Sequence, residues 1–338
     1  MRTAIGAQVV LAAVLPMLTW QVSWAQDEFA VPSGLKDLKI PSDNPLTKAK
    51  VDLGRQLYFE PRLSRDNTVS CASCHDPQRG WSNGEAFATG VRGQKGGRSA
   101  PTIINAAYHP LQFWDGRAKG LEGQALGPIQ NPIEMDLSLD EMIDRLRGIP
   151  GYLKQFQSIF PDGLTTTNVA RALASFERTI LSGNAPYDQF KAGDTTALSE
   201  EAQAGRKIFF GKANCSACHA GPNFSDAGFH NLGVGINAEK PDIGRVAVSK
   251  LLGDRGAFKT PTLREIAKTA PYMHDGRFAS LAEVIEFYVK GATPNPQLDE
   301  EIFSLKLTAA EKKALQTFLV EGLSSADYPT VKPPELPK

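Results

Sequence analysis

The pentapeptide Cys-x-x-Cys-His occurs twice, as Cys71-Ala-Ser-Cys74-His75 and Cys215-Ser-Ala-Cys218-His219, and the two copies contain all four cysteines of the 338-residue chain. That spacing is the attachment signature of c-type haem. Two thiols add to the vinyl groups of one haem, and the next histidine faces its iron. Two such groups constrain the fold more than any other feature, because each half must be built around a covalently held macrocycle. Competing readings explain less. A disulfide framework would staple little in a chain this long, and a thioredoxin-like site has no following histidine. Two Cys-x-x-Cys pairs could supply four thiolates to zinc, but both histidines would then be coincidental.

The N-terminus reads as an export signal. Arg2 supplies a positive start, Val9 to Leu18 is apolar, and Ser23-Trp24-Ala25 is a small-x-small cleavage site, so residues 1–25 are expected to be removed. The apolar run is short for a membrane span, and no later segment is long and apolar enough, so no stable membrane insertion is expected after cleavage. Export suits c-type attachment, which in bacteria happens outside the cytoplasm, and places the protein in the periplasm. Lys and Arg total 37, as do Asp and Glu. This balance provides no field for a polyanion and argues against nucleic acid as a partner.

Along the chain, a helix is expected from Ala49 to Phe59, leading into the first motif. Residues Gly80 to Pro101 have loop composition. Ser138-Leu-Asp-Glu141 is a capping box opening a helix to about Arg147. Further helices are expected at Gly151–Phe160 and Thr167–Leu181, and Ser182–Ala197 reads as a boundary. A helix from Ser199 to Phe210 then precedes the second motif. Ser280-Leu-Ala-Glu283 and Thr308-Ala-Ala-Glu311 cap two last helices. Strand signals are few. The class is mainly α, with two cytochrome-c-like domains, each holding one c-type haem. The N-terminal domain covers residues 26–190, joined by the C-terminal segment 321–338; the C-terminal domain covers 191–320.

An iron held by one histidine is incomplete, and its sixth ligand decides between electron transfer and an open reactive site. His109, His230, His274, Met135, Met142 and Met273 are the ordinary candidates. In the helix from Ser280, Leu281, Val284, Ile285 and Tyr288 fall at i, i+3, i+4 and i+7. That places Tyr288 on the buried face, where a core role is the ordinary reading.

Several segments go further. Asp52-Leu-Gly-Arg-Gln-Leu-Tyr-Phe-Glu-Pro-Arg-Leu-Ser64, Ala100-Pro-Thr-Ile-Ile-Asn105, Phe113-Trp-Asp-Gly-Arg117, Gly127-Pro-Ile129, Glu134-Met135 and Thr269-Ala-Pro-Tyr-Met-His-Asp-Gly-Arg277 accompany the two motifs. Together they resemble the bacterial diheme cytochrome c peroxidase and MauG superfamily over nearly all of the chain after residue 25. The resemblance implies that His75 is the proximal ligand of a peroxide-reactive haem and His219 that of a second haem. It implies that Trp114 lies between the two, and that Gln124, Glu134 and Pro128 form the distal pocket of the first. Heterolysis of a peroxide needs a proton moved from one oxygen to the other; a carboxylate in an apolar pocket can carry it while an amide orients the peroxide.

Two positions depart from the typical peroxidases. Where they place a distal histidine that blocks the resting reactive haem, Val91 stands here. Valine cannot ligate iron, so the first haem is expected to be open without prior reduction, unless His109 takes that place. Nineteen residues after Thr269, where the peroxidases place a methionine ligand, stands Tyr288, as in MauG-like proteins. A phenolate should stabilise ferric and higher iron and lower the potential. The resemblance also implies a calcium ion on the carbonyls of Thr269 and Pro271, with Ser99 in place of the family's asparagine, a poorer ligand.

The leading expectation is a periplasmic diheme peroxidase. It reduces hydrogen peroxide to water with electrons from a small redox protein, a cytochrome c or a cupredoxin, and a homodimer is compatible with it. The second is a MauG-type enzyme that oxidises residues of a partner protein at long range. MauG relays through a second tryptophan before its second haem motif, where Ala213 stands here; after residue 25 only Trp81 and Trp114 remain. The third is a diheme electron carrier without enzymatic activity, which requires both irons to be six-coordinate.

Overall fold

The chain is mainly helical, and its first long helix shows how the fold is assembled. In the computed structural model, which describes residues 29–338, helix α1 (Lys48–Tyr58) starts at Thr47, whose hydroxyl accepts the Lys50 N–H. The segment read as an export signal lies outside the described residues. A single-turn helix α2 (Cys71–Cys74) is the first haem motif itself. Strands β1 (Leu111–Gln112) and β2 (Ala118–Lys119) form a short antiparallel ribbon. Helices α3 (Gly120–Ala125), α4 (Gly127–Gln130), α5 (Leu139–Arg147), α6 (Pro150–Ile159) and α7 (Thr166–Glu177) follow.

Helix α8 (Pro186–Lys191) falls in the stretch whose composition reads as a boundary loop. Pro186 suits the first helical turn, and the Asp188 carboxylate accepts the Ala185 N–H at 2.9 Å. Helix α9 (Glu200–Phe210) leads into the second motif, a 3-10 turn at Cys215–Ala217. Strand β3 (Phe229–Asn231), helix α10 (Val246–Ser249) and strand β4 (Ala257–Lys259) come next, with β3 and β4 antiparallel. Helices α11 (Leu281–Val289) and α12 (Ala309–Thr317) complete the set, α12 running on into a π-helical turn at Phe318–Gly322. All three capping boxes read from the sequence are formed.

The helix before each motif crosses a partner in the same way. A Cβ on Gly54 would lie 1.9 Å from the Ala172 carbonyl oxygen and 2.9 Å from the Phe176 Cβ; one on Gly205 would lie 1.9 Å from the Ala314 oxygen and 2.9 Å from the Phe318 Cβ. Glycine lets α1 approach α7, and α9 approach α12, at backbone contact. The same Gly-Arg pair in the two helices (Gly54-Arg55 and Gly205-Arg206) thus builds two equivalent crossings, one for each haem motif.

Two apolar clusters result. The first joins α1, α3, α5, α6 and α7 around Leu53, Leu57, Tyr58, Trp81, Tyr152, Phe156 and Phe176. The second gathers Phe209, Phe224, Leu281, Ile285, Leu315 and Phe318. Tyr187 of α8 packs against the second, 5.7 Å from the Phe318 ring. The last residues run back along the first: Trp81 Nε1 donates to the Pro329 carbonyl at 2.8 Å, and Gly151 N–H donates to the Lys338 carbonyl at 3.2 Å. Residues Val31–Lys338 make one compact unit. No helix among the described residues is long and apolar enough to cross a membrane.

Candidate active site

Each motif opens onto its own cavity. Cys71, Cys74 and His75 line one of about 490 Å³, and Cys215, Cys218 and His219 line another of about 200 Å³. No disulfide joins any of the four cysteines. Because the pairs face different cavities, no four-thiolate zinc site is formed among the described residues; the single His/Cys/Asp/Glu cluster there is Cys218, Asp226 and His230. In that cluster His230 already spends both ring nitrogens, Nε2 on Asp226 at 2.8 Å and Nδ1 on Asp299 at 2.6 Å.

The two motif histidines are held alike. His75 Nδ1 lies 2.9 Å from the Pro101 carbonyl oxygen, and His219 Nδ1 lies 2.9 Å from that of Phe224. An Nδ1–H donated to a carbonyl fixes the tautomer and leaves Nε2 as the free lone pair for a metal. Burial lowers both imidazole pKa values, which keeps them in the neutral, ligating form. Tyr58 adds a further brace, its hydroxyl donating to the His75 carbonyl at 2.6 Å. Cavity, paired thiols and an oriented imidazole in each half fit a c-type haem.

Gln124, Pro128, Glu134 and Trp114 all line the first cavity. Gln124 comes from α3, Pro128 from α4 and Glu134 from the loop after it. Glu134 is tethered at three points. Its N–H donates to the Asn131 carbonyl at 3.0 Å, its carbonyl accepts from Val91 N–H at 2.8 Å, and its Oε1 accepts from Asn131 Nδ2 at 2.7 Å. Gly90 makes this possible, since a Cβ there would lie 1.9 Å from the Ile133 oxygen. Burial raises the Glu134 pKa, while the Arg117 charge and the Asn131 hydrogen bond oppose the rise. The Gln124 amide has no side-chain hydrogen-bond partner among the described residues and remains available to a guest.

Val91 is fully buried in the first apolar cluster and is not among the residues lining the cavity. Its backbone serves Glu134 instead. His109 does line the cavity, with Nε2 3.3 Å from Asn223 Nδ2 and Nδ1 without a partner. Burial pushes its pKa down to about 3, so it is a neutral imidazole. Met135 borders the first cavity, and Met273 and His274 border the second. His274 stacks on Phe258 with centroids 3.6 Å apart. Met142 is buried in the first apolar cluster, away from both cavities.

Trp114 borders both cavities. Its indole N–H donates to the Ser99 carbonyl at 2.9 Å, and its own carbonyl accepts from Lys259 N–H at 2.8 Å. Tyr288 lines the second cavity together with His219, and burial beside Cys215 and Cys218 raises its phenol well above the usual range. Ser99 N–H donates to the His274 carbonyl at 2.7 Å, which sets Ser99 beside the segment that begins at Thr269 and Pro271. Thr269 and Pro271 border neither cavity.

The sequence pattern did not single out two charged residues at these cavities. Glu177 lines the first, and burial raises its carboxyl to about 8. Lys259 lines both. Neither belongs to a motif, and charged residues are ordinarily exposed; only their positions in the fold reveal them.

A profile described as di-haem cytochrome c peroxidase matches residues 48–196. The chain is 41% identical over 301 residues to the methylamine utilization protein MauG of Methylorubrum extorquens, covering 88% of this chain and 84% of that protein. It is 38% identical over 359 residues to the cytochrome-c peroxidase IdrP1 of Denitromonas iodatirespirans, covering 96% of this chain and 95% of that one. Among solved structures, a MauG-like protein associated with microbial copper homeostasis superposes with a TM-score of 0.79 at 32% identity, over 90% of this chain and 96% of that one. The chain therefore belongs to the di-haem cytochrome c peroxidase and MauG family, oxidoreductases that carry two c-type haems.

Proposed function

We propose that this protein is a periplasmic peroxidase that reduces hydrogen peroxide to water, taking two electrons and two protons per peroxide from a small cytochrome or cupredoxin and solvent. The observation that carries the reading is the shared cavity. Gln124, Glu134 and Pro128 face the same space as His75, and Trp114 joins that space to the one lined by His219 and Tyr288. Haem attached at Cys71 and Cys74 would supply the redox-active iron for that reduction. Around it, Gln124 orients the peroxide through its free amide. Glu134 accepts a proton from the near oxygen and returns it to the far one, which leaves as water. Asn131 holds the Glu134 carboxylate in place for both transfers. Trp114 offers a π-system in contact with both cavities, and Tyr288 offers an anionic ligand at the second. Val91 leaves the first site without a blocking side chain. A calcium ion held by Ser99, Thr269 and Pro271 belongs to the same reading. The test is steady-state oxidation of a reduced cytochrome or cupredoxin by the holo-protein. Two donors oxidised per peroxide supports the reading, and peroxide-independent or absent turnover refutes it.

A second reading is favoured by Tyr288 and by the identity to MauG: oxidation of residues in a partner protein. Ala213, at the position of MauG's relaying tryptophan, weighs against it. Peroxide-dependent modification of an added protein, without small-donor turnover, would establish it.

A further inference from the structure

Lys259 is a half-buried cation with no anion beside it among the described residues. It is the last residue of β4, and its backbone is fixed by the bond from its N–H to the Trp114 carbonyl at 2.8 Å. Of its neighbours in β4, Ala257 is 3% and Phe258 9% exposed. Its side chain forms no hydrogen bond or ion pair with any described residue. The arginines that line the first cavity with it are matched: Arg98 holds Asp115 and Asp242, and Arg117 holds Asp115. An ammonium taken out of water is costly unless a counter-charge meets it. What Lys259 does border is both haem cavities, alongside Trp114 and Pro261.

The groups that fill those cavities each bear two carboxylates. We propose that Lys259 is the shared carboxylate anchor of the two haems, its ammonium pairing with a haem propionate at the junction beside Trp114. It is a positioning residue for both macrocycles. The same charge raises both iron potentials, because a cation near an iron disfavours its ferric form. The Lys259–Trp114 backbone bond couples the anchor to the aromatic bridge, so the spacing of haem, tryptophan and haem is set by one strand end. Burial lowers the Lys259 amine to about 8. This inference rests on the haem attachments alone and not on the peroxide reading, so either can fail without the other.

The test is redox titration of holo-protein carrying Lys259→Met, followed optically at each haem. The Met variant is expected to keep two haems per chain, by pyridine haemochrome and mass. Both midpoint potentials should fall, the ferric-to-ferrous ratio at the wild-type midpoint rising at least threefold, about 28 mV on the 59 mV-per-decade scale of a one-electron couple. Lys259→Arg should restore both. Unchanged potentials in the Met variant, or a shift at one haem only, would overturn the shared anchor. Should the Met variant lose haem, the wild-type holo-protein decides by its crystal structure. A Lys259 Nζ within about 3 Å of a propionate oxygen supports the anchor, and an ammonium turned to solvent or to a protein carboxylate overturns it.

Discussion

Replacing Glu134 by glutamine isolates the proton transfer on which peroxide cleavage depends. Glutamine keeps the size of the side chain and can still accept the Asn131 Nδ2 hydrogen bond, now 2.7 Å long, through its carbonyl oxygen. The backbone bonds to Asn131 and Val91 are untouched. What is lost is the ability to take up and return a proton. Positioned acid–base groups contribute on the order of 10²–10⁴ in rate, or about 3–5 kcal/mol of barrier at 1.36 kcal/mol per decade. The half-buried, singly hydrogen-bonded carboxylate of Glu134 has no free substitute among the other carboxylates at the cavity: Asp115 and Asp242 are paired with arginines, and burial raises the Glu177 carboxyl to about 8. The upper part of the range is therefore expected. The pH dependence has a definite sign. Burial raises the Glu134 pKa, so its base form is lost as pH falls through that raised value. The wild-type rate constant for peroxide should fall with it, and the glutamine variant should show no such limb. Stopped-flow absorbance between about pH 5 and about pH 8 reads both quantities. A variant within roughly threefold of wild type, or one that keeps the acidic limb, would refute the assignment.

Three further outcomes follow from the geometry. With the proposed Tyr288 phenolate as ligand, Tyr288→Phe should change the ferric spectrum of the second haem and raise its potential; an unaltered spectrum would show that the tyrosine is only a core residue. Gly205→Ala should destabilise the holo-protein by about 1–3 kcal/mol or more, because the new methyl meets the Ala314 carbonyl, and denaturant unfolding measures it. Glu177→Gln should stabilise the protein at alkaline but not acidic pH. The folded carboxyl has its pKa raised from 4.5 to about 8, so the folded state binds the extra proton between those values. Wild-type stability therefore falls as pH rises through that window, by up to about 5 kcal/mol, while glutamine has no such loss. Parallel melting curves at about pH 5 and about pH 9 compare the two.

What could be read from the sequence was whatever local chemistry encodes. The haem motifs are contiguous, and the capping boxes at Ser138, Ser280 and Thr308 need residues only three apart, so all were visible. Period alone placed Tyr288 on the inner face of α11, and the fold carries that face to the second cavity. Helix α8 escaped because Pro186 and the Gly and Asn residues flanking the helix read as loop; what sustains it is the packing of Tyr187 and the Asp188–Arg264 ion pair, buried at 2.7 Å and 76 residues apart in sequence. Glu177 and Lys259 escaped for a similar reason. Each is an unremarkable charged residue locally, and only long-range packing puts it at a cavity wall. Val91 shows the converse. Its side chain cannot ligate iron, which the residue type alone says, while its use as a backbone tether for Glu134 appears only in three dimensions.

The most direct test of the account is stopped-flow absorbance of the as-isolated diferric protein mixed with one equivalent of hydrogen peroxide. A fast change at both haems without prior reduction is expected, because Val91 puts no ligand at the first site and Trp114 borders both cavities. No reaction until one electron is added would contradict it. The first iron would then be blocked at rest, with His109, whose Nδ1 is unpartnered at the cavity, as the ligand.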